Sequence, residues 1–140
     1  MSNIVVIDTS VLINALLGPA GPARELIRRC LKGIYNPLIN NTLFLEYEEV
    51  TNRSHILEQC PLTSTELREL LNAYYSVCDW VPIYYLWRPN LLDESDNFLI
   101  ELAIAGNAYC VVTNNIRDLT RSEMMFPDLQ ILTPEQLLRG

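Results

Sequence analysis

Three acidic side chains occur in separate segments of this chain, at places that a folded sheet would bring together. Asp8 directly follows the apolar run Ile4–Ile7, Glu46 lies in an amphipathic segment, and the helix that follows the acidic run at residues 93–96 could present one acid of that run toward Asp8. Three carboxylates with no convergent histidine or thiolate form a hard oxygen-ligand set, which suits Mg²⁺ or Mn²⁺ better than zinc. Such ions polarise a phosphodiester and lower the pKa of a bound water, so these residue types predict metal-dependent phosphoryl chemistry.

Each of these acids also has an ordinary structural explanation. Asp8 can cap the turn or short helix that follows it, which is a common role of aspartate. Acids at the start of a helix, as at residues 93–96, favour the positive end of the helix dipole whether or not they do chemistry. Glu46 can be an edge residue of an apolar stripe that reaches water.

Helical spacing separates Glu46 from the two glutamates that follow it. Leu43, Tyr47 and Val50 are related by i, i+4 and i+7, and they define the inward face of one helix. Glu46 is three residues after Leu43 and four before Val50, so it falls on this face, whereas the glutamates at 48 and 49 point elsewhere. A carboxylate on an inward face is costly unless it is paired, protonated or bound to a cation. Glu46 therefore needs a partner.

Alternating patterns predict the elements that would position these acids. Short β-prone runs predict strands at residues 4–7, 37–39, 80–84, 109–113 and 130–132. Helical spacing predicts helices at residues 11–17 and 23–31, the second closed by Gly33. Capping signals predict further helices from Asn41 or Thr42 to about 51, from a capping box at 63–66 through 77, from a cap at Asp93 or Ser95 over 98–105, and after Thr133. This alternation predicts a three-layer α/β/α fold with a central, mostly parallel sheet. In such sheets ligands bind outside the carboxyl ends of the strands, where Asp8 lies.

The composition is that of a folded globular protein. The chain has 140 residues, of which 49% are hydrophobic and 19% charged, and this predicts a single domain over residues 1–140. Its apolar runs are far shorter than the roughly 20 residues that span a bilayer. The chain enters a strand directly, without the features of a signal peptide. We therefore expect a soluble cytoplasmic protein with no membrane partner.

Charge and reactive residues argue against other kinds of site. The net charge of −7 argues against broad electrostatic binding of nucleic acid, although metal-binding carboxylates contribute to that total. The four cysteines form no Cys-x-x-Cys pair, which favours buried thiols over a zinc site or disulfides. The one histidine, His55, sits in the polar loop predicted around residues 52–54, without the partner motif that a Ser-His-Asp or Cys-His enzyme requires.

The order of these motifs resembles that of PIN domains. The motifs are Asp8-Thr9-Ser10 after the first strand, the Glu46-Tyr47 helix, the acidic run at 93–96 and the strand that ends in Val112-Thr113-Asn114-Asn115. Each motif is weak alone, but the ordered set runs over nearly the whole chain. The chain is most similar to the toxin components of toxin–antitoxin modules that are related to VapC ribonucleases.

The resemblance implies roles for individual residues. Asp8, Glu46 and Asp96 match the three principal acidic positions of the family, Ser10 and Thr113 match polar residues that support the metal site, and Asp93 matches an auxiliary acid. The implied activity is cleavage of single-stranded RNA by an endoribonuclease that depends on Mg²⁺ or Mn²⁺. The implied partners are an RNA substrate, a cognate antitoxin and a second copy of the chain in a homodimer.

One position departs from the family pattern. The fourth acid of the family usually follows the threonine of the fourth strand by two residues, and this chain has Asn115 there. Asn115 can coordinate a metal through its carbonyl oxygen, but it carries no charge, so a second metal would be held less firmly. Asp118 can reach back toward this position from the next turn. Arg117 is the best-placed candidate for binding a substrate phosphate.

A second basic group lies earlier in the chain. Arg24, Arg28 and Lys32 repeat at i, i+4 and i+8, which is the spacing of a phosphate-binding strip on one helix face. The alternative is a solvated helix face on which Glu25 pairs with Arg29. We favour the solvated face.

Two other functions are compatible with the sequence. A PIN-like module that has lost turnover would bind RNA or an antitoxin without cutting, and Asn115 and the acidic composition motivate this alternative. Another Mg²⁺-dependent phosphotransferase on a doubly wound sheet is a weaker alternative, because Asp8-Thr9-Ser10 lacks the Asp-x-Asp signature of haloacid dehalogenase-like enzymes.

Overall fold

The computed structural model of the chain describes residues 3–18, 20–82, 94–116 and 129–139, with the backbone alone at 94–97. In these residues the strands are β1 Ile4–Ile7, β2 Asn36–Ile39, β3 Asp79–Trp80, β4 Cys110–Val112 and β5 Gln130–Leu132. The helices are α1 Thr9–Leu17, α2 Pro22–Leu31, α3 Asn41–Thr51, α4 Ser54–Gln59, α5 Ser64–Val77, α6 Glu94–Ala105 and α7 Pro134–Arg139.

The five strands form one parallel sheet in the order β3-β2-β1-β4-β5, and helices flank it. The predicted three-layer α/β class with a central, mostly parallel sheet is confirmed. The chain first adds strands on one side of β1 and then crosses to the other side, so the strand order reverses between β1 and β4. A crevice opens at such a reversal, outside the carboxyl ends of the two strands.

The core explains why β1 occupies the centre of the sheet. Val5, Val6 and Ile7 are fully buried, as expected of a parallel strand covered on both faces. Helix α6 packs against β1, β2 and β4, and it buries Leu99 and Leu102. Each large apolar side chain buried in this way stabilises the fold by about 1.5 to 3 kcal/mol.

Helix α3 is fixed to β1 by a buried hydrogen bond. The hydroxyl of Tyr47, a fully buried side chain, donates to the carbonyl oxygen of Ile7, the last residue of β1. Thr51 lies one turn further along α3, and its hydroxyl donates to the carbonyl of Tyr47 at 2.7 Å. The hydrogen bond from Tyr47 to Ile7 holds α3 against β1 immediately before Asp8.

Local capping differs from the prediction at one helix. The side chain of Asn40, rather than Asn41 or Thr42, caps α3 by accepting a hydrogen bond from the backbone N–H of Leu43 at 2.9 Å. The predicted capping box of α5 is confirmed, with Thr63 and Glu66 bonded reciprocally. Asn40 precedes the first position at which helical spacing is visible, so the periodic pattern alone placed the cap too late.

Two element boundaries also differ from prediction. The loop predicted around residues 52–54 is shorter, because α4 begins at Ser54 and includes His55. The third strand begins at Asp79, one residue early, and ends at Trp80, while residues 83–84 of the predicted strand lie outside the described residues. Helix α6 runs from Glu94 to Ala105, which agrees with the earlier of its two predicted starts, directly after residue 93. Short elements whose ends depend on tertiary contacts are the hardest to place from periodicity.

The four cysteines are free thiols, and three of them, Cys30, Cys78 and Cys110, are buried. Burial raises the pKa of each of these three thiols to about 12. Cys60 is half-buried. The prediction of buried structural thiols is thus confirmed for three of the four. Across the described ranges, no helix combines the length and the apolar character needed to cross a bilayer.

We predict that the folded protein exposes few reactive thiols. Since the thiolate is the reactive form, a pKa of about 12 keeps the reactive fraction of Cys30, Cys78 and Cys110 on the order of one in ten thousand at about pH 8. Titration with a thiol reagent should give at most one fast equivalent, from Cys60, and all four in denaturant. Fast labelling of two or more thiols in the folded state would contradict the burial.

We also predict that Tyr47→Phe lowers the free energy of unfolding by about 1 to 2 kcal/mol, because it removes the hydroxyl that satisfies the buried carbonyl of Ile7. Urea denaturation followed by circular dichroism measures the effect. Tyr74→Phe is the matched control, since Tyr74 is equally buried, packs on the Tyr47 ring, and its hydroxyl satisfies no backbone carbonyl in the described part of the chain. Equal losses in the two variants would show that the hydroxyl of Tyr47 has no special role.

Candidate metal centre

Asp8 lies where β1 ends, at the reversal of strand order. Its backbone N–H donates to the carbonyl of Val112 at 2.9 Å, which continues the β1–β4 pairing by one residue. Its side-chain Oδ2 accepts hydrogen bonds from the hydroxyl of Ser10 at 3.1 Å and from the hydroxyl of Thr113 at 2.7 Å. Although Asp8 is the residue before α1, its side chain makes no capping hydrogen bond to that helix. The carboxylate is oriented by two hydroxyls rather than used as a cap.

Thr113 connects the end of β4 to this carboxylate. It is fully buried, its N–H donates to the carbonyl of Leu132 at 2.9 Å, and its hydroxyl oxygen accepts from the backbone N–H of Asn115 at 3.0 Å. Because the hydroxyl accepts from Asn115, its proton is directed to Asp8. The backbone around Thr113 therefore sets the direction of the Asp8 side chain.

Glu46 approaches the same place from α3. Its carboxylate is half-buried, and its Oε2 accepts a hydrogen bond from the hydroxyl of Thr9. Burial raises the pKa of Glu46, the hydroxyl of Thr9 opposes that shift, and the nearby charge of Asp8 adds to it. The carboxylate of Asp8 thus lies close enough to disfavour the ionised form of Glu46.

The other two acids of α3 have different surroundings. Glu48 forms an ion pair with Arg68 at 2.8 Å and accepts from the hydroxyl of Tyr75 at 2.6 Å, and the bond from Arg68 lowers the pKa of Glu48. Glu49 is exposed and pairs with Arg53 one turn later at 2.9 Å. Only Glu46, of these three, turns toward Asp8 and lacks a cationic side chain as its hydrogen-bond partner among the described residues. The inference from helical spacing is therefore correct for the direction of all three side chains.

Two contributors to the site were not assigned from the sequence. In the sequence, Thr9 stands out only as part of the motif Asp8-Thr9-Ser10, and Tyr47 only for its inward position on a helix. The position of Thr9 between two candidate site residues was a usable signal for its role. No sequence signal indicated the role of the Tyr47 hydroxyl, because its acceptor is a backbone carbonyl 40 positions away.

Most of the remaining predicted site residues lie partly or wholly outside the described residues. Asp96 lies in the first turn of α6, and its side chain is outside the described residues, as are Asp93, Arg117 and Asp118. Asn115 is exposed, and its backbone N–H, rather than its side chain, contacts the site through Thr113. Within the described residues no group of three His, Cys, Asp or Glu side chains is near enough to hold a metal ion. The structure brings together Asp8 and Glu46.

The basic residues of α2 are engaged with their own surroundings. Glu25 pairs with Arg29 at 2.9 Å and with Arg28 at 3.4 Å. Arg24 donates to the carbonyls of Ala15 and Gly18, at 3.4 and 2.7 Å. The predicted pairing of Glu25 with Arg29 is confirmed, and this face is not a free strip of cations.

The donor set fits a hard divalent cation. Asp8 and Glu46 supply carboxylate oxygens, and the hydroxyls of Thr9, Ser10 and Thr113 orient them. A cation between the carboxylates would replace their mutual repulsion by attraction, and oxygen ligands of this type suit Mg²⁺ or Mn²⁺.

Comparison with known proteins identifies the family. A family model described as PIN domain matches residues 4–117. The fold is similar to that of a chain in the crystal structure of VapBC2 from Rickettsia felis bound to a DNA fragment from their promoter, with a TM-score of 0.57 and 16% identity over 91% of this chain and 96% of that chain. Comparison with curated proteins gave no match. Since the family model spans most of the sequence, including both acids of the site, the chain belongs to the PIN domain family.

Proposed function

We propose that this chain is a metal-dependent endoribonuclease that cleaves single-stranded RNA, and that it is the toxin of a toxin–antitoxin module. The observation that carries the proposal is the convergence of Asp8 and Glu46, with their three hydroxyl donors, at the reversal of strand order. PIN domains are generally nucleases. The choice of RNA rests on the family resemblance.

The chain's own residues would mainly bind and orient the cation before the phosphodiester bond is cleaved. Asp8 and Glu46 would hold the cation, joined by Asp96 according to the family pattern. When bound, Mg²⁺ or Mn²⁺ neutralises charge on a phosphodiester and acidifies a water. The hydroxyls of Ser10 and Thr113 fix the direction of the Asp8 carboxylate, and the hydroxyl of Thr9 fixes that of Glu46. Preorganised ligands of this kind avoid rearrangement during the reaction.

Substrate contacts and assembly follow from the same proposal. With a net charge of −7, the protein would bind RNA through local contacts rather than through a general basic surface. Arg117 is the proposed phosphate contact, with Asp93 as an auxiliary acid and Asn115 or Asp118 at the fourth position. A cognate antitoxin and a homodimer in the cytoplasm complete the proposal, and the similarity to a VapBC2 chain supports the antitoxin.

Asn115 favours a second candidate, a binding module without turnover. It places a neutral amide where the family usually has an acid, so the site has one negative charge fewer. Calorimetric titration with Mn²⁺ distinguishes the two functions. Binding that is lost in Asp8→Asn supports the nuclease, whereas no binding supports the module.

We predict that Glu46→Gln lowers the rate of RNA cleavage on the order of 100-fold, because it removes a charged ligand while keeping the shape of the side chain. Glu49→Gln is the matched control on the same helix, since Glu49 is exposed and paired with Arg53, and its rate should stay within about twofold. Cleavage of a labelled single-stranded RNA in Mg²⁺ or Mn²⁺ measures both rates.

The same assay carries its own checks for contamination. Cleavage should stop in EDTA and in the Asp8→Asn and Asp96→Asn variants. If all of these variants and the unmodified protein cut equally, the activity belongs to a contaminant and the proposed function is wrong.

A third substitution tests the supporting hydroxyl at β4. Thr113→Val should reduce cleavage by about 10- to 100-fold, because Asp8 loses its shorter hydrogen bond, at 2.7 Å. Thr113→Ser keeps a hydroxyl and should recover most of the rate. If valine and serine gave the same rate, the hydroxyl would have no part in orienting Asp8.

A further inference from the structure

A cavity of about 580 Å³ lies beside the candidate metal centre and has no role in it. Its described lining includes Asn14 of α1, Gly18 after α1, Arg24 in the first turn of α2, Asn114 after β4, and Thr133 and Glu135 at the start of α7. The size falls within the range of small-molecule sites in proteins, about 300 to 1,000 Å³.

One contact and one helical spacing place the cavity next to the acidic site. The side-chain amide of Asn114 donates to the carbonyl of Ser10 at 3.4 Å, and Asn114 directly follows Thr113. Asn14 lies four residues after Ser10, so the two side chains share one face of α1. A strand of RNA whose phosphate lies at Asp8 would therefore place a neighbouring nucleotide near this cavity.

The chemistry of the lining favours the neutral part of a nucleotide. Arg24 and Glu135 contribute one charge of each sign, and both are engaged: Arg24 with the carbonyl of Gly18 at 2.7 Å and Glu135 with Arg139. The amides of Asn14 and Asn114 offer donors and acceptors without net charge. Such amides match the hydrogen-bonding edges of nucleobases, which proteins read on unpaired strands of RNA.

We propose that this cavity receives the base of a nucleotide adjacent to the scissile phosphate, with Asn14 and Asn114 as its polar contacts. The proposal rests on the proposed RNA substrate and adds to it the site that selects the base. Asn14 is the better residue to change, since Asn114 also contacts Ser10 and its loss would disturb the metal centre.

Binding rather than cleavage tests the proposal. Fluorescence anisotropy with labelled single-stranded oligonucleotides of A, C, G or U, in EDTA, gives a dissociation constant for each base without turnover. Asn14→Ala should weaken binding of the preferred oligonucleotide roughly tenfold and reduce the difference between the four. Asn72→Ala is the matched control, since Asn72 is also an exposed asparagine inside a helix, on α5 and outside the cavity lining.

The outcomes separate this proposal from the proposed function. Asn14-dependent binding in a protein that fails to cut RNA would overturn the nuclease and support the cavity. Unchanged affinity and unchanged base preference in Asn14→Ala would overturn the cavity proposal. Absence of RNA binding by the unmodified protein would also overturn it. Circular dichroism of both variants confirms that they fold.

Discussion

The parallel pairing of β1 with β4 sets the position of the side chains at the candidate site. Ile7 is paired with Val112, and the backbone of Asp8 extends the ladder by one hydrogen bond. Because the two strands run in the same direction and end together, Asp8 and Thr113 emerge side by side although 105 residues separate them. The reversal of strand order at this pair leaves the space above them free of a connecting helix, so the side chains there can meet a ligand.

Placing two carboxylates together is electrostatically unfavourable, and the surroundings of the site compensate for it unequally. Asp8 receives two hydroxyl donors on one oxygen, and these hydrogen bonds hold its carboxylate in place. Glu46 receives one donor and is half-buried, and its pKa is raised. The core contact of α3 with β1 prevents the helix from relaxing this repulsion by moving away. Packing energy elsewhere in the domain thus maintains a local arrangement that the charges alone oppose.

Much of this arrangement could be predicted from sequence, because it follows from short-range rules. The apolar run before Asp8, the inward position of Glu46 and the capping box at Thr63 each depend on a period or a spacing of a few residues. The contacts that sequence reasoning missed are long-range. The Tyr47 hydroxyl looks like any core tyrosine until the register of α3 on β1 is known, and the cap at Asn40 precedes the periodic pattern that marks its helix. Asp96 could be assigned only through family resemblance, and its side chain lies outside the described residues.

Asn115 has a consequence for how sites of this kind can change over time. It supports Thr113 through its main chain, and a main-chain N–H is supplied by every residue type except proline. The identity of the side chain at this position is therefore separate from the hydrogen bond that supports Thr113. Mutation can exchange acid for amide here, or amide for acid, without dismantling the hydroxyl and carboxylate arrangement beneath it. The charge contributed by the side chain at this position can thus change by single substitutions while the hydrogen bonds beneath it are retained.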